Sequence, residues 1–349
     1  MSSLKYSLIL FFISSFCATS HAQTSADTVK AVKLGDSAEG RMRAADFHAA
    51  INLYTLQLRT GIKMATIWYN RANAESFLDD FDNAAHDYDT ALKLDSNIAM
   101  AYMNQAFMYM KMYKVKEAFI DYDKGLKQKM DSPTHANMYI SRGNAYMALN
   151  KFTDAEPDFS KAVKYNPNSF QAWLQLGAVR RKLKKYKEAL QDLDIGYKLD
   201  NENSDLLLLR GIVKYESGAY KASIPDFNAS LKLRKSNETW YYRGQARLKL
   251  KQDSLAREDF NIILSTDKNN IGALNGRGEA NFKMKHPKLA IKDYSRIIEL
   301  RPEGGEGYAN RAYVYTQIGE KQKACADWHK ASELGITAAK EAIKKLCGK

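Results

Sequence analysis

The pattern of small, apolar and polar positions along the chain repeats about every 34 residues. Small residues stand at positions 38, 72, 106, 143, 177, 211, 244, 278 and 312, at intervals of 34, 34, 37, 34, 34, 33, 34 and 34 residues. A second small residue follows each of them by twelve positions, and a large apolar or aromatic residue follows four positions later. Within each period, apolar residues recur at helical spacing in two blocks joined by a short polar turn. The pattern therefore predicts nine helical hairpins.

Small, alanine and aromatic columns that repeat every 34 residues resemble the tetratricopeptide repeat. The resemblance covers about residues 31–335. It implies an all-α fold: an αα-hairpin solenoid, wound as a right-handed superhelix of about nine repeats, with a C-terminal capping helix. One hairpin cannot bury its own apolar face, whereas stacked neighbours can. We expect the repeats at 31–64, 65–98, 99–132, 136–169, 170–203, 204–236, 237–270, 271–304 and 305–335, and the capping helix at 336–349.

One interval is 37 residues long, and the extra residues fall around Ser132 and Pro133. Serine followed by proline is typical of a helix start, with serine as the N-cap and proline in the first turn. We therefore predict a longer first helix in the fourth repeat rather than a flexible linker.

An arginine precedes the small residue in six repeats, and an aspartate follows that arginine by sixteen positions. The midpoint of each pair falls on the turn of its hairpin, so the two residues should face each other on antiparallel helices. We expect structural ion pairs, not phosphate ligands, at Arg71 and Asp87, Arg142 and Asp158, Arg210 and Asp226, Arg243 and Asp259, Arg277 and Asp293, and Arg311 and Asp327. The alternative is that each aspartate meets an arginine of the next repeat. The third and fifth repeats keep only the acid, Asp121 and Asp192.

The first 22 residues differ from the rest of the chain. They combine Lys5, the apolar run Leu8–Phe16, and small residues at Ser20 and Ala22, which is typical of a secretory signal peptide. We expect an exported protein, periplasmic or secreted and associated with the cell envelope, with a short leader at 23–30 before the first repeat. Two alternatives are an uncleaved anchor and lipidation of Cys17. We expect no integral membrane segment after cleavage, because no other run is long and apolar enough.

Two cysteines remain after residue 22, Cys325 and Cys347. They lie on either side of Gly335, at similar distances, so antiparallel helices joined at that glycine would bring them together. An even number of cysteines in an exported protein favours a disulfide. We predict a bridge that fastens the terminal helix to the ninth repeat, with two reduced cysteines as the alternative.

The formal net charge of the whole chain is +13, and its densest basic run lies at residues 180–187. Such a run attracts anionic lipid, glycan or acidic protein, although the simplest interpretation is a solvated helix face. Export argues against a nucleic-acid partner. The candidate basic patch consists of Arg180, Arg181, Lys182, Lys184, Lys185 and Lys187.

The sequence contains no recognisable catalytic constellation. The five histidines after residue 22 are scattered without metal-ligand spacing. No nucleophile elbow, paired catalytic acid or glycine-rich phosphate loop stands out. We therefore expect no enzyme activity, no cofactor and no metal site.

The resemblance also implies that the first helix of each repeat lines a concave face that holds the ligand. Exposed apolar patches mark interaction sites, and methionine suits an adaptable one. We expect about half of the stripe to be packed in the core instead. Our candidates for partner binding are Tyr69, Met103, Phe107, Met110, Ile140, Asn144, Met147, Leu208, Tyr215, Tyr241, Gln245 and Phe282, and the stripe continues to Tyr313.

The family also contains a Lys/Asn/Arg clamp that binds the C-terminal carboxylate of chaperone tails. Tyr69 and Met103 stand where the first lysine of that clamp is needed, so we do not expect this mode here. The function that the sequence favours is an exported scaffold, which binds a protein or peptide in its groove and supports assembly of an envelope or secreted complex. The alternative is an anionic-surface binder that uses the basic run.

Overall fold

The computed structural model describes residues 26–348, and every regular element in that range is an α-helix. The chain divides into two halves, Met1–Val179 and Arg180–Lys349. Within the described range no helix is long and apolar enough to cross a membrane. The predicted signal peptide, including Cys17, lies outside the described residues.

The N-terminal half consists of helical hairpins in which consecutive helices pack against each other. Helix α9 crosses the boundary between the halves at Val179. The helices are α1 (Ala26–Arg43), α2 (Phe47–Leu58), α3 (Ala65–Phe77), α4 (Phe81–Leu94), α5 (Ala99–Lys111), α6 (Val115–Gly125), α7 (Ser132–Ala148), α8 (Phe152–Tyr165) and α9 (Phe170–Lys182).

The C-terminal half continues the same arrangement and ends with a single helix packed on α18. Its helices are α10 (Tyr186–Leu199), α11 (Ser204–Glu216), α12 (Tyr220–Leu233), α13 (Asn237–Lys249), α14 (Asp253–Thr266), α15 (Ile271–Lys283), α16 (Pro287–Leu300), α17 (Gly305–Gln317), α18 (Lys321–Glu333) and α19 (Thr337–Leu346). The described part of the chain is therefore an all-α solenoid of helical hairpins, as the sequence predicts.

Each hairpin is held together by the small and aromatic columns of the sequence. A Cβ atom on Gly143 would lie 2.7 Å from the ring of Phe159, and one on Gly211 would lie 2.6 Å from the ring of Phe227. Both rings are fully buried. The small residue of the first helix thus makes room for the large residue of the second, which explains why the two columns recur together.

The turn inside each hairpin contains one residue with a positive φ angle. These residues are Ala45, Asp79, Tyr113, Asn150, Lys184, Gly218, Lys251, Lys285 and Gly319. Only two of the nine are glycine, although this left-handed region is unfavourable for residues with a Cβ atom. The turn geometry is therefore maintained by packing of the two helices rather than by glycine.

Two helices begin earlier along the chain than expected, α1 and α7. Helix α1 begins at Ala26, inside the segment assigned to a leader. Helix α7 has 17 residues, against 13 in α5 and α9, as the longer interval predicts. Its N-cap, however, is Asp131 and not Ser132, because the Asp131 carboxylate accepts a hydrogen bond from the Thr134 amide at 2.8 Å.

Candidate functional site

The repeated arginine and aspartate lie in contact within each of the six hairpins. Arg142 Nε donates to Asp158 Oδ2 at 2.8 Å, and Nη2 donates to Oδ1 at 2.7 Å. The same two-point contact joins Arg71 to Asp87, Arg210 to Asp226, Arg243 to Asp259, Arg277 to Asp293, and Arg311 to Asp327. The hydrogen bonds that Arg71 donates to the Asp87 carboxylate raise the pKa of Arg71 above its ordinary value. These arginines are thus engaged inside the fold.

The third nitrogen of each guanidinium reaches the preceding hairpin. Arg142 Nη1 lies 2.5 Å from Asp123 Oδ1, and Arg277 Nη1 lies 3.0 Å from Asn261 Oδ1. The acceptors for Arg71, Arg210, Arg243 and Arg311 are Thr55, Asp194, Asn228 and Ser295. Each arginine therefore fastens its own hairpin and also ties that hairpin to its neighbour, through a residue two positions after the aspartate column.

The third and fifth repeats, which keep the aspartate without this arginine, compensate differently. In the third, Gln105 keeps the contact to the preceding hairpin, because its amide donates to Asp89 at 2.7 Å. Asp121 is buried, and the nearest cation, Lys124, is 3.6 Å away, so burial raises the pKa of Asp121 to about 6. In the fifth, Arg180 supplies the missing guanidinium and contacts Asp192 at 2.8 and 2.9 Å.

A buried polar cluster lies between the second and third repeats. The Tyr88 hydroxyl donates to Asn73 Oδ1 at 2.6 Å, and the Asn104 amide donates to Asn73 Oδ1 and to the Tyr69 hydroxyl. Nearby, burial raises the pKa of Glu75 to about 8, and the charge on Asp87 adds to the shift. The hydrogen-bonded side chains of this cluster are buried, so the cluster belongs to the core.

Four of the predicted partner-binding residues do not face solvent. Tyr69, Met103, Ile140 and Leu208 are buried, so their assignment to an accessible groove is wrong. All four stand two positions before the arginine column, where the side chain packs against a neighbouring helix. Tyr69, for example, receives a hydrogen bond from Asn104 of the next first helix.

The other eight candidates are half-buried. Except for Tyr241, they lie two or five positions after the arginine column, where the first helix keeps one side open. In the N-terminal half they are Phe107, Met110, Asn144 and Met147, and in the C-terminal half they are Tyr215, Tyr241, Gln245 and Phe282. Tyr313 continues the second set and is 49% exposed. We call the four residues of the N-terminal half the accessible face of that half. The four residues of the C-terminal half, together with Tyr313, form the accessible face of the C-terminal half.

Aromatic contacts connect the accessible face of the C-terminal half. The ring centroids of Phe282 and Tyr313 are 5.5 Å apart. Tyr242, which the sequence did not single out, lies between Tyr215 and Tyr241, with centroids 5.9 and 5.6 Å away. Aromatic side chains from successive first helices thus form two connected groups.

The basic run separates into two kinds of residue. Arg180 contacts Asp192, and Arg181 Nη1 lies 3.3 Å from Glu216 Oε1, so both arginines are engaged with neighbouring helices. Lys182, Lys184, Lys185 and Lys187 are exposed. The four lysines, and not the two arginines, form the accessible part of the predicted patch.

One shallow cavity of about 450 Å³ lies in the C-terminal half. It is lined by residues of α15, α16 and α17 and by Ile336, and the lining includes apolar side chains such as Ile297. Among the lining residues, the Asn310 amide donates to Asn275 Oδ1 at 2.7 Å. Among residues 26–348 no group of three histidine, cysteine, aspartate or glutamate side chains is placed to hold a metal ion.

Comparison with known proteins agrees with the repeat geometry. A sequence profile described as tetratricopeptide repeat matches residues 140–204, and a second profile of the same description matches residues 65–98. The chain is a tetratricopeptide-repeat protein. The crystal structure of a tetratricopeptide repeat protein from Parabacteroides merdae superposes with a TM-score of 0.56. It covers 71% of this chain and 96% of that one at 17% identity, a likeness that concerns the fold alone.

Two curated relatives match short stretches of this tetratricopeptide-repeat protein. The protein STIP1 homolog of Dictyostelium discoideum is 27% identical over 107 residues, which are 31% of this chain and 18% of the relative. The protein SGT1 homolog of Oryza sativa subsp. japonica is 34% identical over 71 residues, 19% of each chain. The matches therefore span about a fifth of these relatives' length, and the repeats they share support a protein-interaction scaffold.

Proposed function

We propose that this tetratricopeptide-repeat protein is an exported, non-enzymatic scaffold that binds a protein or extended peptide on its accessible face. In this role it would support assembly of an envelope or secreted complex. The observation that carries the proposal is the repetition of half-buried aromatic, methionine and amide side chains at equivalent positions of successive first helices. Repeats of this kind support protein interaction rather than catalysis.

The chemistry of the accessible face suits a polypeptide. Tyrosine and phenylalanine provide large contact areas with little loss of rotamer entropy, and they are enriched in protein interfaces. Met110 and Met147 can adapt to irregular side chains. Asn144 and Gln245 each present donors and an acceptor that match the backbone of an extended peptide.

Two features support export. The sequence at residues 1–22 has the composition of a secretory signal peptide. Cys325 and Cys347 form a disulfide, and disulfides persist mainly in oxidising compartments. The proposal therefore places the partner in the cell envelope or outside the cell.

The test compares partner capture by three proteins that start at Gln23. The first is unchanged, the second carries Phe282→Ser and Tyr313→Ser, and the third carries Leu233→Ser and Ile262→Ser as a control. Leu233 and Ile262 are exposed apolar residues of second helices, so the control removes similar apolar area from another surface. Thermal unfolding verifies that all three fold.

We expect one envelope protein to be captured, at moderate salt, by the unchanged protein and by the control but not by the Phe282/Tyr313 variant. A photo-crosslinking residue in place of Gln245 should join the chain to the same protein. Equal capture by all three proteins would show that the accessible face of the C-terminal half does not bind the partner.

A further inference from the structure

The C-terminal half carries opposite charge on its two edges. The five turns inside its hairpins, at 182–188, 216–222, 249–255, 283–289 and 317–323, contain twelve lysines and four acidic residues. The four loops between the hairpins, at 199–205, 233–239, 266–272 and 300–306, contain four basic and seven acidic residues. We call the set of five turns the turn edge and the set of four loops the loop edge.

The turns lie side by side because successive hairpins are stacked in the same orientation. Arg181 at the end of α9 contacts Glu216 at the end of α11, and Asn275 of α15 contacts Asn310 of α17. These pairs are separated by 35 residues, so nearly equivalent positions of neighbouring hairpins meet. The lysines of consecutive turns therefore share one edge of this half.

Local backbone structure does not account for these lysines. Lys184, Lys251 and Lys285 have φ angles of 59°, 59° and 61°, at the positions where Gly218 and Gly319 stand in the other two turns. A left-handed conformation is strained for lysine and relaxed for glycine. Lysine thus occupies positions that favour glycine.

Helix dipoles account for only part of the set, because Lys249 and Lys283 lie in the last turns of α13 and α15, where a cation is favoured. Lys187 and Lys288 lie in the first turns of α10 and α16, where the positive end of the helix dipole disfavours a cation. Lys249, Lys251, Lys285 and Lys288 are exposed and form no ion pair among the described residues. Their charges are available to an external partner.

Exposed apolar side chains accompany the lysines on three consecutive turns. Leu255 is 42% exposed, Leu289 is 47% exposed and Ile318 is 42% exposed. A surface that combines lysines with exposed leucine and isoleucine is typical of proteins that lie on a membrane, since the cations meet anionic headgroups and the apolar groups enter the boundary below them. A soluble acidic polymer would have no use for the apolar residues.

We propose that the turn edge docks on an anionic lipid bilayer. Lys249, Lys251, Lys285 and Lys288 would neutralise headgroups, while Leu255, Leu289 and Ile318 would enter the headgroup region. Four acidic residues face the same edge: Glu216 contacts Arg181, Glu320 contacts Lys323, and Glu188 and Asp253 lie in first helical turns. The lysines outnumber them threefold. This proposal goes beyond the scaffold function and does not depend on it.

The test uses the chain from Gln23, which retains all nineteen helices and lacks the apolar run Leu8–Phe16, a segment that could bind lipid by itself. Binding is measured by co-sedimentation with vesicles of phosphatidylcholine, with and without phosphatidylglycerol. The turn-edge variant carries Lys249→Gln, Lys251→Gln, Lys285→Gln and Lys288→Gln. The control removes the same charge from the loop edge, with Arg234→Gln, Lys235→Gln, Lys268→Gln and Arg301→Gln.

We expect binding only to vesicles with phosphatidylglycerol, weakened by salt. Each lysine near an anionic surface is worth about fivefold in affinity, so the turn-edge variant, which loses four lysines, should bind several hundredfold more weakly. The loop-edge control should bind nearly as well as the unchanged chain. A third variant, Leu255→Ser with Leu289→Ser, should also bind vesicles more weakly.

Two results would overturn the proposal. Equal weakening by the turn-edge variant and the loop-edge control would mean that only net charge matters. Binding to a soluble acidic polysaccharide but not to phosphatidylglycerol vesicles would assign the turn edge to a polyanion instead of a membrane.

Discussion

Arg142 and Asp158 form a two-point ion pair across the fourth hairpin, with N–O distances of 2.8 and 2.7 Å. The Asp158 side chain is 3% exposed, and no other donor is seen within hydrogen-bond distance of its carboxylate among the described residues. The same guanidinium reaches Asp123 of the preceding hairpin. One side chain therefore stabilises both the hairpin and its junction with the neighbour.

Replacing this arginine should destabilise the fold strongly. Arg142→Met leaves the buried Asp158 carboxylate without its cation, and breaking a buried pair in this way costs about 3 kcal/mol. Urea unfolding of the variant should show a clear loss in midpoint. Asp158→Asn in the same chain should restore part of the loss, because the uncompensated charge is removed.

The control for this prediction is an exposed pair in the same fold. Arg296 lies 2.7 Å from Glu299, but both side chains are largely in solvent. Arg296→Met should cost less than about 1 kcal/mol. Equal losses for Arg142→Met and Arg296→Met would contradict the buried-pair interpretation.

The Arg–Asp contacts could be predicted because both residues belong to strict columns. The two positions are equidistant from the turn, so their meeting follows from antiparallel geometry alone. The third contact of each arginine was not predictable in this way. Its acceptor always lies two positions after the aspartate column of the preceding repeat, but the residue type there changes, for example Thr55, Asp123 and Asn228. No column of one residue type marks it.

The interaction surface was less predictable than the fold. Helical periodicity places Met103 and Phe107 on the same stripe, yet Met103 is buried and Phe107 is half-buried. Periodicity gives the direction of a side chain but not how closely the next first helix approaches it. The turns show the same limit, because a lysine such as Lys184 gives no signal of its positive φ angle.

Glu75 should make stability depend on pH. Burial raises its pKa in the folded chain to about 8, from an ordinary value of 4.5. The folded state therefore holds this proton more tightly than the unfolded state, and it loses stability as the pH rises from about 4.5 to about 8. Glu75→Gln removes this loss. Its melting temperature should match that of the unchanged chain near pH 4 and exceed it above pH 8.

The control for Glu75 is Glu202→Gln, which changes an exposed glutamate in a loop. Its effect on the melting temperature should not follow the same pH profile. A Glu75→Gln difference that stays constant between pH 4 and pH 9 would show that the buried carboxyl does not titrate in this window.

Reduction of the disulfide should loosen the C-terminal helix selectively. Cys325 and Cys347 are 22 residues apart in sequence, and closing a loop of this size is worth about 3 kcal/mol. The bridge fastens α19 to α18, where Ala339 packs with Trp328. With a reductant present, amide hydrogen exchange in Thr337–Leu346 should accelerate while exchange in Ile271–Lys283 stays unchanged.

A chain with Cys325→Ser and Cys347→Ser provides the control for reduction. It should exchange rapidly in α19 without a reductant and should show no further change when the reductant is added. Uniform acceleration along the whole C-terminal half would mean that the bridge supports the array globally and not the terminal helix.

Two glycines should respond to alanine in opposite directions. Gly218 has a φ angle of +86° in the turn between α11 and α12, and a Cβ atom there meets no neighbour but strains the backbone. Gly218→Ala should therefore cost about 1 kcal/mol.

Gly40 lies inside α1, and a Cβ atom there also meets no neighbour. Gly40→Ala should stabilise the chain by about 0.5–1 kcal/mol, because alanine loses less backbone entropy in a helix. Urea unfolding of the two variants checks both signs, and a shift in the same direction would show that local backbone conformation does not decide the effect.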